Sequence, residues 1–229
     1  MKSSLILVLL LLAHSIAVSA QMDGNPENWC REGFFTRDST EFKIGIIKKA
    51  ENSRAYFHND DGEGCPGAAS CKSKAYIINN DKVVVNREYG RFSCVWFSPV
   101  RGRPTIGWIE TADVMWAKIP LTAGLSPWLG EWGYAENSIS FTNNKLPGFL
   151  NVTGNAFWKG AGDNIHIGEL DGRFEAKNGL LNYSDGDSEY DCKASMRLIG
   201  DFLIVTDNLN CGGVNVSFSG VYLKKKSWK

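Results

Sequence analysis

Asp207-Asn208-Leu209-Asn210-Cys211-Gly212-Gly213 is the densest run of hydrogen-bonding and turn-forming residues in this chain. Two chemistries fit it. Asp and Asn bond their own backbone and glycine accepts positive φ, which together make a stapled turn. Alternatively, Asp207, Asn208 and Asn210 line a loop that docks a ligand. Asp185, Asp187, Glu189 and Asp191 alternate, and carboxylates at this spacing can gather around Ca²⁺. The EF-hand order fails, because Gly186 is misplaced and Met196 stands where the closing Glu belongs; the run reads as a solvated hairpin tip. His166 and Glu169 follow Asp163, but residues three apart in a strand face opposite sides and do not meet locally. No elbow motif marks a serine nucleophile, and beyond the leader only His58 and His166 are available as imidazole bases. The residues therefore predict no enzyme, no catalytic residue and no cofactor. Zinc is not expected either, since no C-x-x-C occurs.

The first 20 residues read as a secretory leader. Lys2 gives a positive start, Leu5 to Leu12 is apolar but too short to span a bilayer, and Val18-Ser19-Ala20 supplies small residues at a cleavage site. Cys30, Cys65, Cys71, Cys94, Cys192 and Cys211 all follow it, an even set that reads as three disulfides in an oxidising compartment. A division near residue 123 leaves four cysteines before it and two after, so each half can close its own bridges. The expected pairs are Cys30 with Cys94, Cys65 with Cys71, and Cys192 with Cys211. The charge is balanced, with 25 Lys and Arg against 25 Asp and Glu, which makes nucleic acid a poor partner. Lys224-Lys225-Lys226 reads as a solvated tail. No stable membrane insertion is expected, and the exported chain is expected to be a monomer in the periplasm or outside the cell. Sequons at Asn151, Asn182 and Asn215 read as chance matches.

The elements that must hold these residues are strands. Short alternating runs bounded by Gly, Asn, Asp and Pro dominate, with almost no 3.6-residue period. A first domain is expected over 21–121, a linker over 122–127 with Gly124 and Pro127, and a second domain over 128–229. Strands are expected at Phe42–Ile47, Ala55–Phe57, Tyr76–Ile78, Val83–Val85, Cys94–Phe97 and Gly107–Ile109. Asp60 to Gly64 reads as a turn. The second half gives about eight strands: Ser138–Phe141, Phe149–Thr153, Ala156–Trp158, Ile165–Leu170, Gly172–Ala176, Cys192–Leu198, Phe202–Thr206 and Val214–Tyr222. The opening W-x-x-x-W and closing F-x-G-x-Y would pair to close a barrel with no free edge.

Lys74 to Val114 carries a polar turn, Val83-Val84-Val85, the aromatic-rich Cys94-Val95-Trp96-Phe97 and Gly107-Trp108-Ile109. This pattern resembles a bacterial SH3-like domain. The resemblance implies a small barrel that binds ligands, with Tyr89, Trp96, Trp108 and Trp116 as candidates for an aromatic cleft and Arg91 beside Gly90 as an exposed contact. The competing reading puts Trp96 and Trp108 in the core, where a small domain needs large side chains. The ending from Asp207 to Tyr222, with Trp132, Gly154-Asn155-Ala156 and Met196-Arg197-Leu198, resembles a domain of uncharacterised exported bacterial proteins. The fold class expected is all-β: an SH3-like small barrel followed by an antiparallel barrel or sandwich of about eight strands. The function expected is non-catalytic recognition of peptidoglycan or an envelope or secreted protein. The rival is an inhibitor or immunity protein that blocks a toxin or wall-degrading enzyme.

Overall fold

A computed structural model describes residues 25–37, 41–118 and 124–225. The expected leader and the first two residues of the expected linker lie outside them. Seven strands form the first half: β1 (Lys43–Ile47), β2 (Arg54–His58), β3 (Lys72–Ile78), β4 (Lys82–Tyr89), β5 (Phe92–Phe97), β6 (Thr105–Glu110) and β7 (Val114–Trp116). They pair antiparallel in the order β3-β2-β6-β5-β4-β1-β7, which leaves β3 and β7 as the ends. Alternation divides the apolar residues between two faces. Val83, Val85, Val95 and Ile109 meet Ile47, Ala55, Phe57 and Ile77 in one cluster. Val84, Phe92, Trp96 and Trp108 meet Phe42 and Ile44 in another. Burial on both faces explains why Val83-Val84-Val85 in β4 and Cys94-Val95-Trp96-Phe97 in β5 read as unbroken apolar runs.

The second half is a closed antiparallel barrel of eight strands: β8 (Gly130–Tyr134), β9 (Asn137–Asn143), β10 (Phe149–Lys159), β11 (Ile165–Lys177), β12 (Leu180–Ser184), β13 (Lys193–Ile199), β14 (Phe202–Asp207) and β15 (Gly220–Lys224). Closure is made where expected, by the last strand on the first: Leu223 opposes Gly133 and Lys224 opposes Trp132. The interior is filled by Trp128, Trp132, Ile139, Phe141, Leu150, Val152, Leu170, Met196, Phe218 and Tyr222, among others. Eight strands give a lumen that side chains can fill, and here they do.

Several strand boundaries differ from expectation. The breaks expected at Gly154-Asn155 and at Asp171 do not occur; β10 and β11 run on through them. A Cβ at Gly154 would stand 3.2 Å from Leu170 and Phe218, so this glycine admits a close approach inside the barrel. β12 and the three-residue β7 were not expected; Leu180–Ser184 merges in the sequence with the polar run that follows it. Residues 214–219 do not join β15, because Asp207 captures their backbone and hydroxyls (below).

All three disulfides form as expected: Cys30–Cys94, Cys65–Cys71 and Cys192–Cys211. They fit an oxidising compartment. Among the described residues no helix is long and apolar enough to cross a membrane.

The halves share a core. Phe202 and Ile204 on β14 and Val221 on β15 point out of the barrel into the cluster around Val84, Trp96 and Trp108. The Trp96 and Phe202 rings meet edge-on at 5.8 Å. Residues 25–37 strap the two halves together: the Tyr134 hydroxyl donates to Glu32 at 2.5 Å, and the Thr206 hydroxyl to the Thr36 carbonyl at 2.6 Å. Lys224 and Lys225 are latched rather than free, on the Pro127 carbonyl at 2.9 Å and on Glu131 at 2.5 Å.

Candidate functional site

The Asp207 loop uses its polarity internally. Asp207 has a fully buried side chain. One carboxylate oxygen accepts from the Ser217 and Ser219 hydroxyls at 2.8 and 2.7 Å, and the other from the Phe218 N–H at 2.8 Å. Asn208 accepts from the Lys193 N–H at 3.0 Å and donates to the Asp191 carbonyl at 2.7 Å. Asn210 donates to the Glu189 carbonyl at 3.2 Å. The bridge Cys192–Cys211 closes the loop, and glycines let it lie flat on the barrel mouth. A Cβ at Gly168 would stand 2.1 Å from the Cys211 carbonyl oxygen. The loop also offers apolar side chains to solvent: Leu209, at φ 66°, and Val214 are exposed, beside Asn210 and Asn215. Asp207 and Asn208 therefore act as brackets within the loop, and both also line the open groove outside β12–β14.

Of the carboxylate run, Asp191 accepts from the Ser188 N–H at 2.6 Å and shapes the turn. No group of His, Cys, Asp and Glu among the described residues is arranged to hold a metal ion. His166 meets the Val214 carbonyl at 2.5 Å and the Trp158 ring at 5.2 Å, and Glu169 lies on the opposite, outer face of β11.

The aromatic cleft does not assemble as expected. Trp96 and Trp108 are 2% and 0% exposed. The Trp108 indole donates to the Asn28 carbonyl at 2.7 Å and packs under Tyr89 at 5.9 Å. Both are pillars of the shared core, so the ligand-contact assignment is corrected here. Trp116 is exposed, but its register through Gly45 sets it level with Val83. That is six residues along β4 from Tyr89, roughly 20 Å at strand spacing. Tyr89 and Arg91 do stand at the surface. Arg91 is 3.7 Å from Glu110, and the Tyr89 ring overhangs Trp108.

Two polar clefts flank the turn that follows β2. The larger, about 550 Å³, lies between Arg31, His58, Asp60, Asp61, Ser73 and Gly107. Its shape comes from a bulge: Tyr56 opposes Tyr76, but His58 opposes Lys72, so residues 73–75 bow away from β2. The Ser73 hydroxyl takes up the Ala75 N–H freed by that bow, at 3.0 Å. Asp60 is committed: it grips Arg31 with two contacts of 2.8 Å and accepts from the Cys30 N–H at 2.6 Å. His58 fixes one ring nitrogen on the Pro66 carbonyl at 2.9 Å and packs at a tilt against the Phe92 ring at 5.0 Å.

The second cleft, about 520 Å³, lies between Asn25, Asn28, Gly62, Glu63, Gly64, Cys65 and Tyr89. Its walls come from three separate segments, and the bridges Cys30–Cys94 and Cys65–Cys71 tie them to the sheet. Trp29 presents its carbonyl to Arg87. Of the residues that line it, Tyr89 alone was expected from the sequence to contact a ligand. Asn28 and Glu63 escaped notice because Asp60 to Gly64 explained itself fully as a turn, and nothing in the sequence says that residues 25–31 fold back over Trp108. A larger open groove, about 590 Å³, runs outside β12–β14 past Asn182, Ser184, Ser195 and Asp187. Comparison with known proteins finds no matching family model, no matching curated protein and no matching solved structure.

Proposed function

We propose that this protein is an exported, non-catalytic binding protein of the cell envelope that recognises peptidoglycan or a protein partner. The observation that carries the reading is the pair of clefts beside the turn after β2, whose walls are cross-linked by two disulfides before any ligand arrives. Preorganised walls lower the ordering cost of binding, which is the advantage a recognition surface needs. The SH3-like resemblance and the leader-like first 20 residues support the same reading. The filled barrel supports a scaffold role for the second half.

A second reading keeps an inhibitor or immunity function, and one observation favours it. The Asp207 loop is rigidly bracketed yet presents Leu209 and Val214 outward at the barrel mouth. A stiff loop with an apolar tip can plug a cleft in another protein.

The test is retention. The oxidised chain from Gln21 to Lys229 is mixed with purified wall material and sedimented, and separately immobilised and exposed to periplasmic and secreted fractions. Co-sedimentation supports wall recognition, one stoichiometric retained protein supports the inhibitor, and retention of neither rejects the proposal.

A further inference from the structure

We infer that the cleft between Asn28, Glu63 and Tyr89 is a site for a primary alkylammonium group. The inference rests on the binding role proposed above and names the chemistry it would recognise. Asn28 is 6% exposed, yet its Oδ1 has no partner. Its amide cannot turn to repair this, because Nδ2 donates to the Cys65 carbonyl at 2.7 Å. A buried acceptor left unpaired carries a desolvation cost, and because Oδ1 is closed to solvent in a residue that lines the cleft, a donor reaches it only as the rim yields. Around it the cleft presents further acceptors. Glu63 is the one carboxylate in the lining, and Glu27 lies beside the rim, 3.4 Å from the Asn25 amide. Neither Arg31, paired with the Asp60 carboxylate, nor Arg87, which donates to the Trp29 carbonyl, lines this cleft. An anion would meet carboxylates there, whereas an ammonium brings three donors and no acceptor. The exposed Tyr89 ring supplies a π face for the cation and its alkyl stem. The wall opposite is stiff, since Gly62 and Gly64 turn at φ 136° and 75° beside the Cys65–Cys71 bridge.

Such a group occurs on the amine-bearing peptides of cell walls and on lysine side chains of proteins, and the experiment separates the two. The isotopically labelled mature chain is titrated with Nα-acetyl-lysine methylamide and, separately, with the same molecule acetylated on Nε. The expected result is saturable shifts confined to signals of Asn28, Gly62 to Gly64 and Tyr89, produced by the free amine alone. Glu63→Gln is expected to weaken binding about tenfold, and Tyr89→Ala to weaken it more than Tyr89→Phe. Equal shifts from both probes, no saturation up to tens of millimolar, or an unaffected Glu63→Gln variant each overturn the site.

A second arm compares sedimentation on wall material before and after its free amines are acetylated. Lost retention assigns the amine to the wall. Retention that survives, together with a positive lysine titration, assigns it to a protein partner. If wall binding survives and the lysine titration fails, the site is overturned while the binding role stands.

Discussion

The two halves of this molecule are all-β in different ways. Along β10 the barrel alternates buried and exposed residues almost without fault, and its strands close so that none is an edge. The first sheet has two free ends and register breaks at Tyr56/His58 and Val85/Arg87. It is held by two disulfides and by the strap of residues 25–37, whereas the barrel carries one bridge, at its mouth. The end strand β3 carries Lys72 and Lys74, which discourage edge-to-edge pairing. The difference has a consequence for function. A barrel whose backbone pairs with itself and whose lumen is full keeps its interior from a ligand and offers only the open groove outside β12–β14. The irregular sheet, where bulges and turns lift backbone away from the ladder, opens two clefts with disulfide-tied walls.

The comparison can be broken first at the barrel core. Trp132→Ala removes a fully buried ring and is expected to cost about 3–5 kcal/mol. Urea unfolding measures it. Because Phe202, Ile204 and Val221 belong to the same cluster as Trp96 and Trp108, both halves are expected to lose structure in one transition. Two resolved transitions would show that the halves are energetically separate.

Disulfide removal sharpens the contrast next. Loop-closure entropy ranks the bridges by the 64, 19 and 6 residues that separate their cysteines. The expected losses on replacing each pair by alanine are about 4, 3 and 2 kcal/mol for Cys30–Cys94, Cys192–Cys211 and Cys65–Cys71. Midpoint shifts in denaturant give the order directly. A larger loss at the barrel mouth than at Cys30–Cys94 would deny that the first sheet depends more on its cross-links.

Asp207→Ala is expected to cost about 1–3 kcal/mol, because it strands the Phe218 N–H and two hydroxyls that the carboxylate satisfies. Hydrogen exchange should rise over 217–219 and leave the first sheet unchanged.

The smallest effect is one of pH. Burial raises the phenols of Tyr134 and Tyr222, and for Tyr134 the hydrogen bond to Glu32 adds to it. Both phenols stay protonated in the folded chain after the unfolded chain has begun to ionise near pH 10, so the unfolded state binds fewer protons there. Stability is therefore intact below about pH 10 and falls as pH rises beyond it. Tyr134→Phe should flatten part of that fall in melting temperature between about pH 8 and 11. An unchanged slope would remove Tyr134 from the strap between the halves.

Much of this architecture was legible in the sequence. Alternation marked the strands, the cysteine split isolated the pair Cys192–Cys211, and the two terminal motifs marked barrel closure, since each depends on local pattern or simple counting. Three features were not legible, and each depends on contacts distant in the chain. Gly154 looked like a strand end, although it is a close approach to Leu170 and Phe218. Asp207 read both as part of a stapled turn and as a ligand contact, and what its carboxylate holds, Ser217 to Ser219, could not be named from the sequence. Asn28 drew no notice at all, because its importance comes from Cys65 and Trp108, 37 and 80 residues away.

The most direct test of the division between scaffold and recognition surface compares two variants in the retention assay. One carries Glu63→Gln with Tyr89→Ala in the cleft, and the other carries Leu209→Asp at the barrel mouth. Retention is expected to fall tenfold or more, on the order of 1.4 kcal/mol, for the cleft variant and to stay unchanged for the loop variant. Full retention by the cleft variant, with loss in the loop variant, would contradict the account and place recognition on the barrel.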